Sequence, residues 1–198
     1  MRHGVALVML LVLLCQAAEA QCVVPRSGDL LFVRGSRSGM EKAISASTGE
    51  YTHVAIAEVD SAGSLWVIEA TTKYGVRRVA YGEWTDREEG VDIYRLNVPF
   101  DTAAAVRRAR ALVGRPYDES FMPDNGALYC SELVYEAYLD GDGRHLFQSS
   151  PMVFRDKRGR MPRYWKNHFR KLGIPIPENI PGTNPSGLSQ SPILVRVQ

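Results

Sequence analysis

Residues 52–70 read THVAIAEVDSAGSLWVIEA. Two runs rich in apolar and β-branched residues, 52–59 and 65–70, flank Asp60-Ser61-Ala62-Gly63-Ser64, which has the composition of a turn. The stretch is therefore expected to fold as a β-hairpin. If the turn pairs Val59 with Leu65, Ala55 opposes Glu69 and His53 opposes Thr71. His53 and Glu69 are then diagonal neighbours on one face, with Cβ atoms about 7–8 Å apart at most. A glutamate can span that gap to an imidazole. A slip of one residue would send the two side chains to opposite faces. Glu69 also interrupts an apolar run, and a carboxylate in a half-buried strand needs a partner. Without such a partner, His53 reads simply as a satisfied histidine at a strand end.

Outward from the hairpin, Gly28-Asp29 forms a turn before the apolar run Leu30-Leu31-Phe32-Val33, a buried strand by pattern. Residues 34–50 read as a loop with a short helix around Met40 to Ser45. Val76–Val79 and Val91–Leu96 are two more strand candidates, so the first half forms a small, mostly antiparallel sheet. The second half is helical. Asp101-Thr102 caps a helix running to about Val113, whose Arg107, Arg108 and Arg110 read as a solvated face. Residues 117–127 read as a loop, and a second helix spans about Tyr129–Leu139. Beyond Gly173 the chain holds five of its eleven prolines, which predicts an extended, irregular tail over about 174–198. The fold class is α+β.

The chain has 198 residues, 45% hydrophobic and 23% charged, which suits one globular domain. A net charge of +2 does not call for nucleic acid. The first 20 residues differ from the rest: Arg2 and His3, an apolar run from Val5 to Leu14, then Ala18-Glu19-Ala20. This is the shape of a secretory signal peptide cleaved after Ala20. Ten apolar residues fall short of the roughly 20 needed to span a bilayer. The expected organisation is a signal peptide over 1–20 and one domain over 21–198, exported to the periplasm or the cell exterior. Processing would leave Cys22 and Cys130, which an oxidising compartment could pair.

Residues 128–138, LYCSELVYEAY, place Cys130, Leu133, Val134, Ala137 and Tyr138 on one helix face. Cys130 falls in the first turn, where the helix dipole favours thiolate. It reads equally well as a small buried hydrophobe. A nucleophilic cysteine needs a histidine base and an orienting group. His145 and His168 lie in polar, basic surroundings and read as surface residues, which leaves His53. No Cys-x-x-Cys pair, histidine pair at ligand spacing or glycine-rich phosphate loop is present, so neither metal nor organic cofactor is expected. Residues 155–171 hold eight Lys or Arg against one acid, interleaved with Trp165 and Phe169. Such a run suits an anionic wall polymer or lipid headgroup, and still more often forms a solvated helix face.

The order Gly28-Asp-Leu-Leu-Phe32, His53-Val-Ala-Ile56, Ile68-Glu-Ala70, Gly114-Arg-Pro-Tyr-Asp118 and Tyr129-Cys-Ser-Glu-Leu-Val134 resembles the circularly permuted, papain-like cysteine hydrolases of the YiiX/YaeF type, in the wider NlpC superfamily. The resemblance extends to Pro181-Gly-Thr-Asn-Pro185 and Ser191-Pro192, and so covers nearly the whole of residues 21–198. It implies a permuted papain-like fold with the cysteine helix packed on the sheet. By position it makes Cys130 the nucleophile, His53 the base and Glu69 the orienting acid. Tyr117 and Asp118 become substrate-binding candidates, with Tyr117 beside the oxyanion, and Cys22 becomes incidental. The implied activity is cleavage of a peptide or amide substrate, cell-wall stem peptides among them, without stable membrane insertion after signal cleavage. Two alternatives stay open: an acyl hydrolase or acyltransferase similar to lecithin retinol acyltransferase, and a binding module without turnover.

Overall fold

The computed structural model describes residues 23–35 and 38–198; the expected signal segment and Cys22 lie outside the described residues. In chain order the elements are β1 (Leu30–Val33), α1 (Gly39–Thr48), β2 (His53–Val59), β3 (Leu65–Thr71), β4 (Gly75–Ala80), α2 (Tyr81–Thr85) and β5 (Val91–Leu96). There follow α3 (Thr102–Ala111), α4 (Cys130–Ala137), β6 (Ser150–Pro151), α5 (Arg163–Leu172), β7 (Pro181–Gly182), α6 (Pro185–Ser189) and β8 (Leu194–Arg196). Six strands form one antiparallel sheet in the order β4-β3-β2-β1-β5-β8, with helices packed against it, an α+β architecture.

The hairpin has the expected register, with Val59 opposite Leu65 and Ile56 opposite Ile68. Asp60 organises the turn. Its carboxylate accepts from the amides of Ala62 and Ser64 at 3.0 and 2.9 Å and from Trp66 Nε1 at 2.8 Å. Gly63 closes it at φ 80°, a left-handed conformation open to glycine without a Cβ clash.

Alternation splits the strand residues between two apolar layers. Leu30, Phe32, Val54, Ile56 and Ile68 lie in one, packed with Leu133, Val134, Ala137 and Tyr138 of α4 and with Ala105 and Ala109 of α3. Leu31, Val33, Ala55, Ala57 and Val67 lie in the other, closed by Trp84 of α2. Burial on both faces explains why β1 is an unbroken apolar run. A third cluster, centred on Phe121, Phe154, Trp165 and Phe169, joins α1 to α5.

Two expectations need correcting. The tail is not irregular: Leu194–Arg196 forms the sixth strand, pairing Leu194 with Leu96 and Arg196 with Tyr94. Asn184 caps α6 by accepting from Gly187 N at 2.7 Å, and Pro185 occupies its first position, where a missing N–H costs nothing. Prolines here mark the ends of elements rather than their absence. Nor do the α3 arginines form one solvated face. Arg107 is 69% exposed, but Arg108 donates to the carbonyls of Ala137 and Leu139 at 2.8 and 3.2 Å, and Arg110 pairs with buried Glu58.

Candidate active site

The sheet ends where β1 stops at Val33, β2 begins at His53 and β3 runs out at Ala70 and Thr71. The first turn of α4 meets this end. Together with α1 they enclose a cleft of about 600 Å³ lined by Val33, Met40, His53, Ala70, Tyr117 and Cys130, among others. Carboxylates and a guanidinium, from Glu41, Glu88 and Arg87, also line it.

Cys130 is the first residue of α4 and is buried as a free thiol. The first intrahelical bond is Leu133 N to Tyr129 O at 3.0 Å, so the amides of Cys130 and Ser131 have no carbonyl partner within the helix. Glu132 Oε2 accepts from the Tyr129 amide at 3.4 Å, and the Tyr129 hydroxyl accepts from Thr183 N at 3.1 Å. The tail thus pins the residue that starts the helix.

His53 Nε2 lies 2.9 Å from Glu69 Oε2. Its other ring nitrogen is left for Cys130, which lines the same cleft. Burial alone would lower the His53 pKa. Its interactions with Cys130 and with the Glu69 carboxylate outweigh burial and hold it well above 6.5. Glu69 is 1% exposed and its oxygens are fully engaged. Besides His53 it accepts from Trp84 Nε1 at 3.0 Å and Arg77 Nε at 2.8 Å. Burial would raise its pKa, but His53, Arg77 and Trp84 together depress it to about 2. It is a fixed anion at any ordinary pH.

Tyr117 lines the cleft beside Cys130, its hydroxyl 4.0 Å from Met40 Sδ. Burial, and then the charges of Cys130 and Asp118, raise its pKa well above 10, so the hydroxyl keeps its proton. Asp118 does not line the cleft. It is 2% exposed and spends its oxygens on the loop, accepting from the amides of Ser120 and Met122, both at 2.8 Å. Its carboxylate holds the loop together one residue from Tyr117. His145 is exposed and stacks on Tyr135. His168 is not a bare surface residue, since it stacks on Tyr164 and contacts the carbonyl of Glu119 at 2.7 Å.

Arg77 and Trp84 went unnoticed in the sequence. Arg77 sits directly opposite Glu69 in the β3–β4 register, so a correct pairing of the third and fourth strands would have found it. Trp84 comes from a five-residue helix with no periodic pattern to announce it.

The family model of the permuted papain-like amidases, YaeF/YiiX, C92 family, matches residues 24–198. The chain belongs to this family. Histidine before cysteine is the order of residues here, with His53 on β2 and Cys130 on α4. A curated relative, the uncharacterized protein YiiX of Escherichia coli strain K12, is 26% identical over 199 residues, spanning 87% of this chain and 86% of the relative. The crystal structure of YiiX from Escherichia coli O157:H7 superposes with a TM-score of 0.74 at 23% identity, covering 88% of this chain and 97% of that one. It shows the same fold. The family's chemistry makes this amidase a cysteine hydrolase acting on amide bonds. The O157:H7 protein is described as a metalloprotein. The residues here do not fit a metal centre: among the described residues no three His, Cys, Asp or Glu side chains group as ligands, and Glu69 is saturated by Arg77, Trp84 and His53.

Proposed function

We propose that this amidase is an exported enzyme that cleaves a peptide or small amide, cell-wall stem peptides among the candidate substrates, through Cys130, His53 and Glu69. One observation carries the reading: His53 lines the wall of a cleft together with Cys130 and is hydrogen-bonded to the buried Glu69. In this mechanism the Cys130 proton passes to His53, and the thiolate attacks the substrate carbonyl. The oxyanion takes bonds from the Cys130 amide and the Tyr117 hydroxyl, both donors held in place before substrate arrives. His53 then returns its proton to the leaving amine as the C–N bond breaks. Water, deprotonated by His53, attacks the thioester and releases the acid and the thiol. Glu69 keeps the ring oriented and stabilises its charged form. The basic start, apolar run and Ala18-Glu19-Ala20 of the N-terminus support export.

The test is alkylation by iodoacetamide from pH 4 to 9, read by mass spectrometry beside His53→Ala. Cys130 should react rapidly well below the free-thiol value of about 8.5 and lose that reactivity without His53. An inert Cys130, or one bonded to Cys22, would end the nucleophile assignment.

A further inference from the structure

Residues 183–186 of the tail reach both halves of the site. Ser186 stands in α6 and is 3% exposed. Its hydroxyl accepts from the Tyr51 amide at 3.0 Å and donates to the Tyr51 carbonyl at 3.2 Å. One side chain thus pairs with both backbone groups of a buried residue, two positions before His53. Thr183, three residues earlier in the tail, donates its amide to the Tyr129 hydroxyl at 3.1 Å. Tyr129 is buried and directly precedes Cys130.

The parties to these bonds are closely fitted. A Cβ on Gly182 would come within 2.9 Å of the Tyr129 hydroxyl oxygen, and one on Gly49 within 2.8 Å of Ser186 Oγ. The tail segment is itself fastened. Pro181 and Gly182 pair with β6, Asn184 caps α6, and Leu188 is buried in the same apolar layer as Val54 and Leu133. Tyr51 is fixed at its other end, where its hydroxyl bonds to Asp92.

We infer that Thr183 and Ser186 are positioning residues, a clamp that holds the start of α4 and the entry to β2 at one fixed separation. The inference rests on the proposed pairing of Cys130 with His53. Val54 and Ile56 of β2 also pack with Leu133 and Val134 of α4, but apolar contact is non-directional and allows a small slide. Proton transfer between a thiol and an imidazole does not, because it needs both atoms within hydrogen-bond reach. Directional bonds to Tyr51 and Tyr129 supply that constraint. None of Tyr51, Tyr129, Thr183 and Ser186 lines the cleft, so the clamp acts through the two residues it holds and not on substrate.

The experiment is alkylation of Cys130 by iodoacetamide in the whole chain from pH 4 to 9, read by mass spectrometry, with circular dichroism to confirm folding. Ser186→Ala deletes both bonds to Tyr51. Tyr129→Phe keeps the ring and deletes the bond from Thr183, so it tests the clamp even if Ser186→Ala does not fold. Tyr138→Phe is the control: it removes a buried hydroxyl at the other end of α4, one that donates to the carbonyl of Gly28 at 3.0 Å. At pH 6 the two clamp variants should react about tenfold more slowly than the unsubstituted chain, and their rate–pH curves should move up by about one unit, since a looser pair stabilises the thiolate less. Tyr138→Phe should follow the unsubstituted curve. A loss of stability alone would leave the curve of the folded protein where it is. Clamp variants that follow the unsubstituted curve, while His53→Ala departs from it, would overturn the clamp and leave the catalytic pair standing. An equal shift in Tyr138→Phe would overturn it too, by making the effect general to α4. An unsubstituted Cys130 that is inert, or indifferent to His53→Ala, removes the pair itself and the clamp with it.

Discussion

The hairpin carries two buried glutamates that look alike and do different work. Glu58 and Glu69 are 2% and 1% exposed. Each takes an arginine from β4: Arg78 Nε donates to Glu58 at 2.8 Å and Arg77 Nε to Glu69 at 2.8 Å. Each arginine also lies over an aromatic ring, Arg78 on Trp66 and Arg77 on Tyr74, at 3.7 and 4.1 Å. Burial opposes ionisation in both, and hydrogen bonds overcome it in both. The difference lies in the remaining partner. Glu58 has a second arginine, Arg110 of α3, which fastens helix to sheet. Glu69 has His53, which lines the cleft together with Cys130. A buried, arginine-paired, depressed carboxylate is therefore not by itself the mark of a site. What sets Glu69 apart is a titratable partner that lines a cleft beside a cysteine.

The sharpest way to break that distinction is to neutralise each glutamate. Under the proposed triad, Glu69→Gln should lower kcat by about a hundredfold to ten-thousandfold, the range set by a general base that loses its orienting anion. Glu58→Gln should leave kcat within about threefold. The pH profile adds a sign. His53 titrates well above 6.5 because Cys130 and Glu69 favour its charged form over the cost of burial. Activity that needs a protonated His53 is lost as pH rises through that value. Removing the Glu69 charge should shift this alkaline limb to lower pH, while Glu58→Gln should not move it. Equal losses of kcat in the two variants would erase the contrast.

The same pair shows what could be read in advance. The hairpin register was legible because turn composition and strand alternation are local properties, and they brought Glu69 to His53. The place of Cys130 in the first turn of a helix was legible from spacing. The arginines were not. Arg110 reads as one of three cations on an exposed helix, and its partner lies 52 residues earlier on another element. The sixth strand was hidden for the same reason: Leu194 finds Leu96 across almost a hundred residues, and nothing local announces it. Asp118 is a different case. Its neighbour Tyr117 faces the cleft, but its own acceptors are spent on Ser120 and Met122.

Removing the arginines should separate the two sites by stability rather than rate. Arg77→Met leaves Glu69 buried without a cation of permanent charge, and breaking a buried pair from one side costs about 3 kcal/mol. Arg78→Met leaves Glu58 still bound to Arg110 and should cost about 1 kcal/mol. Urea denaturation at pH 7 measures both. A larger loss in Arg78→Met would mean that Glu58, not Glu69, is the costlier charge to strand.

The finest contrast is Trp84, because among the described residues Glu58 has no neutral side-chain donor to match it. Trp84→Phe keeps the apolar packing and deletes one N–H donated to Glu69 at 3.0 Å. A bond of this kind is worth about 1 kcal/mol, and more of it is felt by the charged carboxylate than by the acid. Glu69 has a folded pKa of about 2 against an ordinary 4.5, so its contribution is complete above 4.5 and is lost as pH falls toward 2. The cost of Trp84→Phe should therefore be full at pH 7 and shrink through that acid window as the carboxylate protonates. His53 and Arg77 remain bound, so kcat should fall by no more than about tenfold. A cost that persisted unchanged at pH 2 would show that Trp84 acts through packing, and that the anion at position 69 is held by His53 and Arg77 alone.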